Sequence, residues 1–205
     1  MEILKKIILA IGVTVSIYSS AQDSRNSQLA FSKSYGFESK YQYDEAIKAI
    51  KEVYNEKSYP MNTRLGWLCY LNKNYTSSIA YYQKASSLMP AAAEPLWAMV
   101  SPLLAAEKWG ELEKNYLSIV KIEPKSTIAH YKLGLIYYYR KNYSAAKKFF
   151  DISLNLYPMD YDSLLMSAWT NYFLGNKDAA KILFNKVLLL YISDSSALEG
   201  LSLIK

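Results

Sequence analysis

The sequence predicts an all-α fold built as a stack of repeated helix pairs, and three observations carry that prediction. Pro90, Pro124 and Pro158 stand 34 residues apart. Tyr82, Tyr116, Phe150 and Phe184 recur at the same interval, as do Tyr75, Trp109 and Tyr143, and so does the row Gly66, Val100, Gly134 and Ala168. Tyrosine occurs 20 times and glycine only 7, a balance that favours long helices carrying amphipathic aromatics over a turn-dense β fold. A fixed period of this size marks stacked supersecondary units, none of which buries its apolar face alone. With 205 residues, 51% of them apolar, the chain is long enough to build a core.

The first segment stands outside that repeat. Lys5 and Lys6 precede the apolar run Ile7–Ile17, and the small residues Ser19, Ser20 and Ala21 follow. This is the charged, apolar and small-residue order of a secretory signal peptide, with cleavage expected after Ala21. The run is shorter than the roughly 18 apolar residues of a membrane span, so the expected mature chain, 22–205, keeps no membrane anchor. No cysteine follows the small residues to accept a lipid. The expected compartment is therefore the periplasm or the exterior.

The clearest unit begins at Thr127. Its first helix, expected over Thr127–Arg140, sets Tyr131, Leu135 and Tyr138 on one face and His130, Leu133, Gly134 and Tyr137 on another. Lys141 and Asn142 make the turn, and Tyr143–Leu156 forms the second helix, with Ala146, Phe150, Ser153 and Leu154 at helical spacing. Pro158 ends it, because proline lacks an amide hydrogen and restricts its predecessor. Gly134 and Ala146 mark the close crossing of the pair, and the aromatic series is assigned to the wider gaps between successive pairs.

Leu133-Gly134-x-x-Tyr137, then Tyr143-x-x-Ala146-x-x-x-Phe150, then Pro158, resembles the tetratricopeptide repeat. Gly66, Tyr75, Tyr82, Ala85 and Pro90 fit the same pattern, as do Ala168, Ala180, Phe184 and Val187. The resemblance implies a right-handed α-solenoid of five helix–turn–helix units starting near Ser27, Tyr59, Ala93, Thr127 and Tyr161, with a partial helix from about Ser195. The first unit is the weakest, with Tyr43 and Ala46 in place but no small residue in register before them. The third carries Val100, Leu112 and Ile119 where its neighbours are smaller, and Pro102 inside its first helix. Such a proline costs about 3 kcal/mol in helix formation, so a bend is expected around Ser101–Leu103. In the fifth unit Ile192 replaces the terminal proline, and the second helix is expected to run on toward the chain end.

In the resembled family the first helices line a concave groove. Mapped here, that face holds Tyr35, Trp67, Tyr70, Trp97, Tyr131, Leu135, Tyr138, Tyr139, Trp169 and Tyr172, an aromatic and nearly uncharged surface suited to a protein or peptide partner. Trp67, Leu135 and Trp169 occupy the places where some relatives grip a C-terminal carboxylate with Lys, Arg and Asn, so that activity is not expected. An alternative is a glycan-binding envelope protein whose rings stack on sugars, weakened by a lack of the polar groups that fix hydroxyls.

Other chemistry finds little support. His130 is the only histidine and Cys69 the only cysteine, which excludes an internal disulfide and a zinc site made of both. Cys69 reads as a small core residue and His130 as inter-helix packing. No nucleophile triad, acid–base pair or phosphate loop accompanies them, so neither an enzyme nor a cofactor is expected. Asp160, Asp162, Asp178 and Asp194 read as helix-start carboxylates. Net charge is +6, or +5 without Glu2, Lys5 and Lys6, with no concentrated basic stripe, so nucleic acid is not an expected partner. Lys40, Lys73, Lys108, Arg140, Lys141 and Lys177 recur at the turns within pairs, assigned to helix C-terminal dipoles. In the terminal helix, Leu198 and Leu201 are expected to pack inward and Leu203 and Ile204 to lie exposed, making that helix the candidate for self-association.

Overall fold

The computed structural model describes residues 23–204, so the leader, its cleavage site and the expected loss of an anchor fall outside the described residues. Among these residues there are eleven α-helices and no strand. They are α1 (23–38), α2 (Tyr43–Lys51), α3 (Tyr59–Leu71), α4 (Tyr75–Leu88), α5 (Glu94–Ala105), α6 (Trp109–Ile122), α7 (Thr127–Tyr139), α8 (Tyr143–Leu156), α9 (Tyr161–Phe173), α10 (Lys177–Leu190) and α11 (Ser195–Leu203). No described helix is long and apolar enough to cross a membrane.

The chain divides into two compact units. One comprises the residues through Pro90 with Ser101–Ala106, the other Ala91–Val100 with Glu107 onward. The division falls inside α5, next to Pro102, and the helix continues past the proline to Ala105. In the first unit Ala46, Ile50, Met61, Leu65 and Leu68 form the core with Ala30. In the second, Leu164, Ala168, Ala180, Phe184, Val187 and Ala197 bring α9, α10 and α11 together.

Helix starts and stops follow from local chemistry. Ser58, Asn74, Ser126, Asn142, Asp160 and Asp194 each accept a backbone amide hydrogen bond at a helix N-terminus, satisfying donors the helix itself leaves free. Asp162 and Asp178 lie in first turns, as expected of them.

The corners inside the pairs share one device. Tyr41, Lys73, Glu107, Lys141 and Gly175 all have positive φ, between 54° and 78°. At Lys141 the amide donates to Tyr138 O (2.8 Å) and Asn142 N–H reaches back to Tyr137 O (2.9 Å). Gly175 and Asn176 repeat this bond pattern at Tyr172 and Asn171. This left-handed closure satisfies the last carbonyls of the preceding helix. Lys108 and Lys177, by contrast with their expected role, stand at helix starts: Lys108 precedes α6 without a side-chain capping bond and pairs with Glu111 at 2.7 Å, and Lys177 opens α10.

Packing within the pairs corrects the assignment of the aromatic series. The rings of Tyr82 and Phe150 lie inside their own pairs, over Gly66 and Gly134, where an added Cβ would meet them at 2.7 and 2.5 Å. Ser78 Oγ donates to Gly66 O at 2.7 Å, a contact that only a close approach of α3 and α4 permits. Phe184 differs: its ring tip lies against Gly200 of α11, between its own pair and the helix that follows, as the sequence reading assigned the series.

The end of the second unit differs from expectation. Without its proline, α10 still stops at Leu190, because Tyr191 adopts an extended backbone (φ −139°, ψ 93°) and Asp194 caps α11. Tyr161 donates its hydroxyl to Asp194 Oδ2 at 2.6 Å and sets its ring edge-on to Tyr191, which fixes that turn. On α11, Leu201 packs inward as expected, but Ile204 joins it and Leu198 is left exposed with Leu203. The Asp194 cap starts the helix so that Ala197 and Gly200 face Phe184, which turns Leu198 outward.

Candidate functional site

The expected aromatic residues resolve into two sets, one in each unit. In the first unit Tyr35 lies on α1 and Trp67 and Tyr70 lie on α3. The Trp67 and Tyr70 rings are 5.8 Å apart, and Tyr75 continues the contact at 6.1 Å from Tyr70. Tyr35 and Trp67 are exposed and Tyr70 half-buried.

This surface is not uncharged. Arg64 lies buried beside Trp67, its guanidinium 3.9 Å from the Tyr35 ring centroid, in reach for a cation–π contact. Its Nε donates to Ser34 Oγ (3.0 Å) and its Nη1 pairs with Glu38 Oε2 (2.5 Å). The other Glu38 oxygen accepts the Trp67 indole N–H at 2.7 Å. One carboxylate thus ties α1 to α3 through an arginine and a tryptophan. Arg64 Nη2 is buried and makes no hydrogen bond. Around these groups, Tyr41 and Tyr43 help line an open cleft.

In the second unit the rings form a continuous chain. Tyr138 contacts Tyr139, Tyr143 and Phe173 at 5.7, 5.5 and 6.0 Å, and Tyr143 stacks on Phe173 at 4.9 Å. Phe173 in turn meets Trp169 at 6.1 Å and Tyr172 at 5.4 Å. Trp169 is anchored from below, edge-on to buried Phe184 at 5.1 Å and donating its indole N–H to Ser196 Oγ at 2.8 Å. Tyr139 is 76% and Phe173 46% exposed, so this chain of rings rises from the core to solvent. Burial pushes the Tyr138 hydroxyl up to about 12, which keeps it a neutral donor.

Trp97 and Tyr131 stand apart from that chain. Trp97 packs edge-on to Tyr116 and donates to Glu123 Oε2 at 2.9 Å. Tyr131 contacts Phe150 at 5.9 Å and borders a separate recess with Ser153, Asp160 and Asp162. Burial, and then the Asp162 charge, pushes its hydroxyl up to about 12. Leu135 is half-buried on the same helix.

Of the expected rings, the structure groups Tyr35, Trp67 and Tyr70 in the first unit and Tyr138, Tyr139, Trp169 and Tyr172 in the second. The sequence reading missed Glu38 and Arg64, whose ion pair spans two helices, and Tyr143 and Phe173, which link Tyr138 to Trp169. A signal existed: Ser34 to Arg64 and Glu38 to Trp67 are separated by 30 and 29 residues, close to one repeat.

The residues assigned to packing behave so. Cys69 is buried, and burial raises its thiol above the ordinary value against a weaker pull from Lys51. His130 is buried beside Phe149, with Nε2 3.0 Å from Pro124 O. Among the described residues no three His, Cys, Asp or Glu side chains are grouped to hold a metal.

Tetratricopeptide repeat family models match residues 59–91, 127–160 and 162–191. No curated protein matches the chain. Among solved structures it is similar to a MamA protein, with 18% identity and a TM-score of 0.67 over 80% of this chain and 91% of that one. A tetratricopeptide repeat protein from Parabacteroides merdae aligns at 22% identity and a TM-score of 0.68, covering 88% and 72%. YrrB, described as a TPR protein with an unusual peptide-binding site, aligns at 12% and 0.67, covering 90% and 97%. At these identities the likeness establishes the fold. With three helix pairs matched as repeats and the stacked-pair architecture shared with these structures, the chain has the helix-pair fold seen in tetratricopeptide-repeat proteins.

Proposed function

We propose that this protein is an exported, non-catalytic interaction module that holds a protein or peptide on the aromatic surface of its second unit. The observation that carries the reading is the chain of rings from Phe184 through Trp169 and Phe173 to Tyr138 and Tyr139. Rings fixed from below lose little rotamer freedom when a partner covers them, and such rigid aromatics are common anchors of binding energy. The repeat matches support a protein-binding role, as does the peptide-binding site named for YrrB. Export to the cell envelope rests on the order of charged, apolar and small residues at the N-terminus.

Capture from an envelope extract tests the reading, comparing the wild type with a Tyr139→Ala/Phe173→Ala variant whose changes lie at exposed rings. Loss of a captured protein in the variant supports the module. Equal capture by both sinks the ring surface as its site. Self-association through α11 is a second expectation, favoured by the exposed Leu198 and Leu203. Light scattering at micromolar concentration tests it, and a strict monomer removes it.

A further inference from the structure

We propose that the cleft of the first unit is a saccharide site, in which Trp67 is the stacking platform and Glu38, held in place by Arg64, accepts from hydroxyl groups. This site is separate from the ring surface of the second unit and does not depend on it.

The cleft has a volume of about 600 Å³, within the range of sites that hold small organic ligands. Its apolar walls are aromatic: Tyr35, Tyr41, Tyr43 and Trp67 line it, with Trp67 42% and Tyr41 80% exposed. An aromatic face carries negative π density, which attracts the weakly positive C–H face of a sugar ring. Its polar floor is the Arg64–Glu38 pair. Arg64 has a side chain only 6% exposed, and Nη2 there has no hydrogen-bond partner. Closed over in this way, Arg64 does not meet a ligand itself but holds the Glu38 carboxylate in place at the floor of the cleft.

Charge decides among ligand classes. Glu38 neutralises Arg64, so the floor has no net charge to draw an anion or a cation. Both Glu38 oxygens already accept one hydrogen bond each but retain further lone pairs. The pocket therefore offers acceptors at Glu38, while Tyr41 and Tyr43 supply hydroxyls capable of both roles. A neutral polyol with adjacent hydroxyls satisfies such a set, each hydroxyl being donor and acceptor together. A peptide N–H fits the carboxylate alone, and a phosphate or carboxylate meets repulsion from Glu38.

The test uses the mature protein and titrates neutral oligosaccharides, namely chitotetraose, cellotetraose and maltotetraose, by calorimetry. Hyaluronan oligosaccharide and an uncharged Ala/Ser/Gly peptide are the comparators. The expected result is binding of at least one neutral tetrasaccharide, weakened about tenfold or more by Trp67→Ala, a loss typical of an anchor side chain. Tyr41→Ala, at a ring 80% exposed, should weaken it too, and Trp67→Phe should restore part of the affinity. No binding by any neutral sugar at 10-fold above about 1 mM overturns the proposal. So does affinity unchanged in both Trp67→Ala and Tyr41→Ala, or binding confined to the peptide or the acidic polymer.

Discussion

Phe150 rests on the bare α-carbon of Gly134, so closely that a methyl group there would lie 2.5 Å from its ring. Phe150 is fully buried and has no room to retreat. Gly134→Ala should therefore destabilise the protein by about 1–3 kcal/mol, overpacking outweighing the helix propensity that alanine adds. Gly36 on α1 has nothing within 4 Å of the same position, and there Gly→Ala should stabilise by about 0.5–1 kcal/mol. Urea unfolding of the two variants should give midpoints shifted in opposite directions.

At the corners, the left-handed conformation costs a non-glycine residue about 1–2 kcal/mol. Lys141, with φ 59°, is expected to become more comfortable as glycine, and Lys141→Gly should raise the melting temperature. Gly175→Ala places a side chain at φ 78° and should lower it. Scanning calorimetry on the pair checks both signs, and a stabilised Gly175→Ala protein would contradict the corner geometry.

Glu113 on α6 accepts the Tyr137 hydroxyl at 2.6 Å and pairs with Arg140. The Tyr137 hydrogen bond, followed by Arg140, holds its carboxyl below the ordinary value of 4.5, against the opposing effect of burial. A carboxyl depressed in the folded state stabilises the fold above its unfolded value, and that contribution is lost as pH falls through the folded one. Glu113→Gln should thus lower stability near neutrality and flatten its decline below pH 4.5. Melting temperatures from pH 7 to pH 3 measure the difference in slope.

Cys69 is buried among the apolar residues of α3, with its thiol raised by burial. Ellman's reagent should react slowly with the native protein and with one thiol per chain in denaturant. Fast native reaction would place the sulfur at the surface.

Much of this architecture could be read from the chain because its causes are local and repeat. Thr127 to Leu156 carries its helix pair in plain apolar spacing, and Ser126, Asn142 and Asp160 are ordinary capping residues. The stop after Leu190 was harder, since no proline announces it and the restraint comes from Tyr161, 30 residues upstream of Tyr191. The rings were visible as a stripe, but their neighbours were not. Arg64 reads as a solvated charge until α1 and α3 pack and close it over with Tyr35 and Glu38. Phe173 reads as a helix end until Tyr143 stacks on it from another pair. Long-range pairing, rather than propensity, decided both.

The three-residue corner Arg140–Asn142 sets how far α8 is rotated about its own axis relative to α7. One extra residue absorbed into the start of α8 would turn its sequence by about 100°, swinging Phe150 away from Gly134 and a charged flank toward it. Losing one residue would turn it the other way. Insertions and deletions in these corners should therefore behave less like loop-length changes than like wholesale exchange of a helix's inner face. The permitted lengths are discrete, and the chain is free to grow or shrink by whole helix pairs more readily than by single residues.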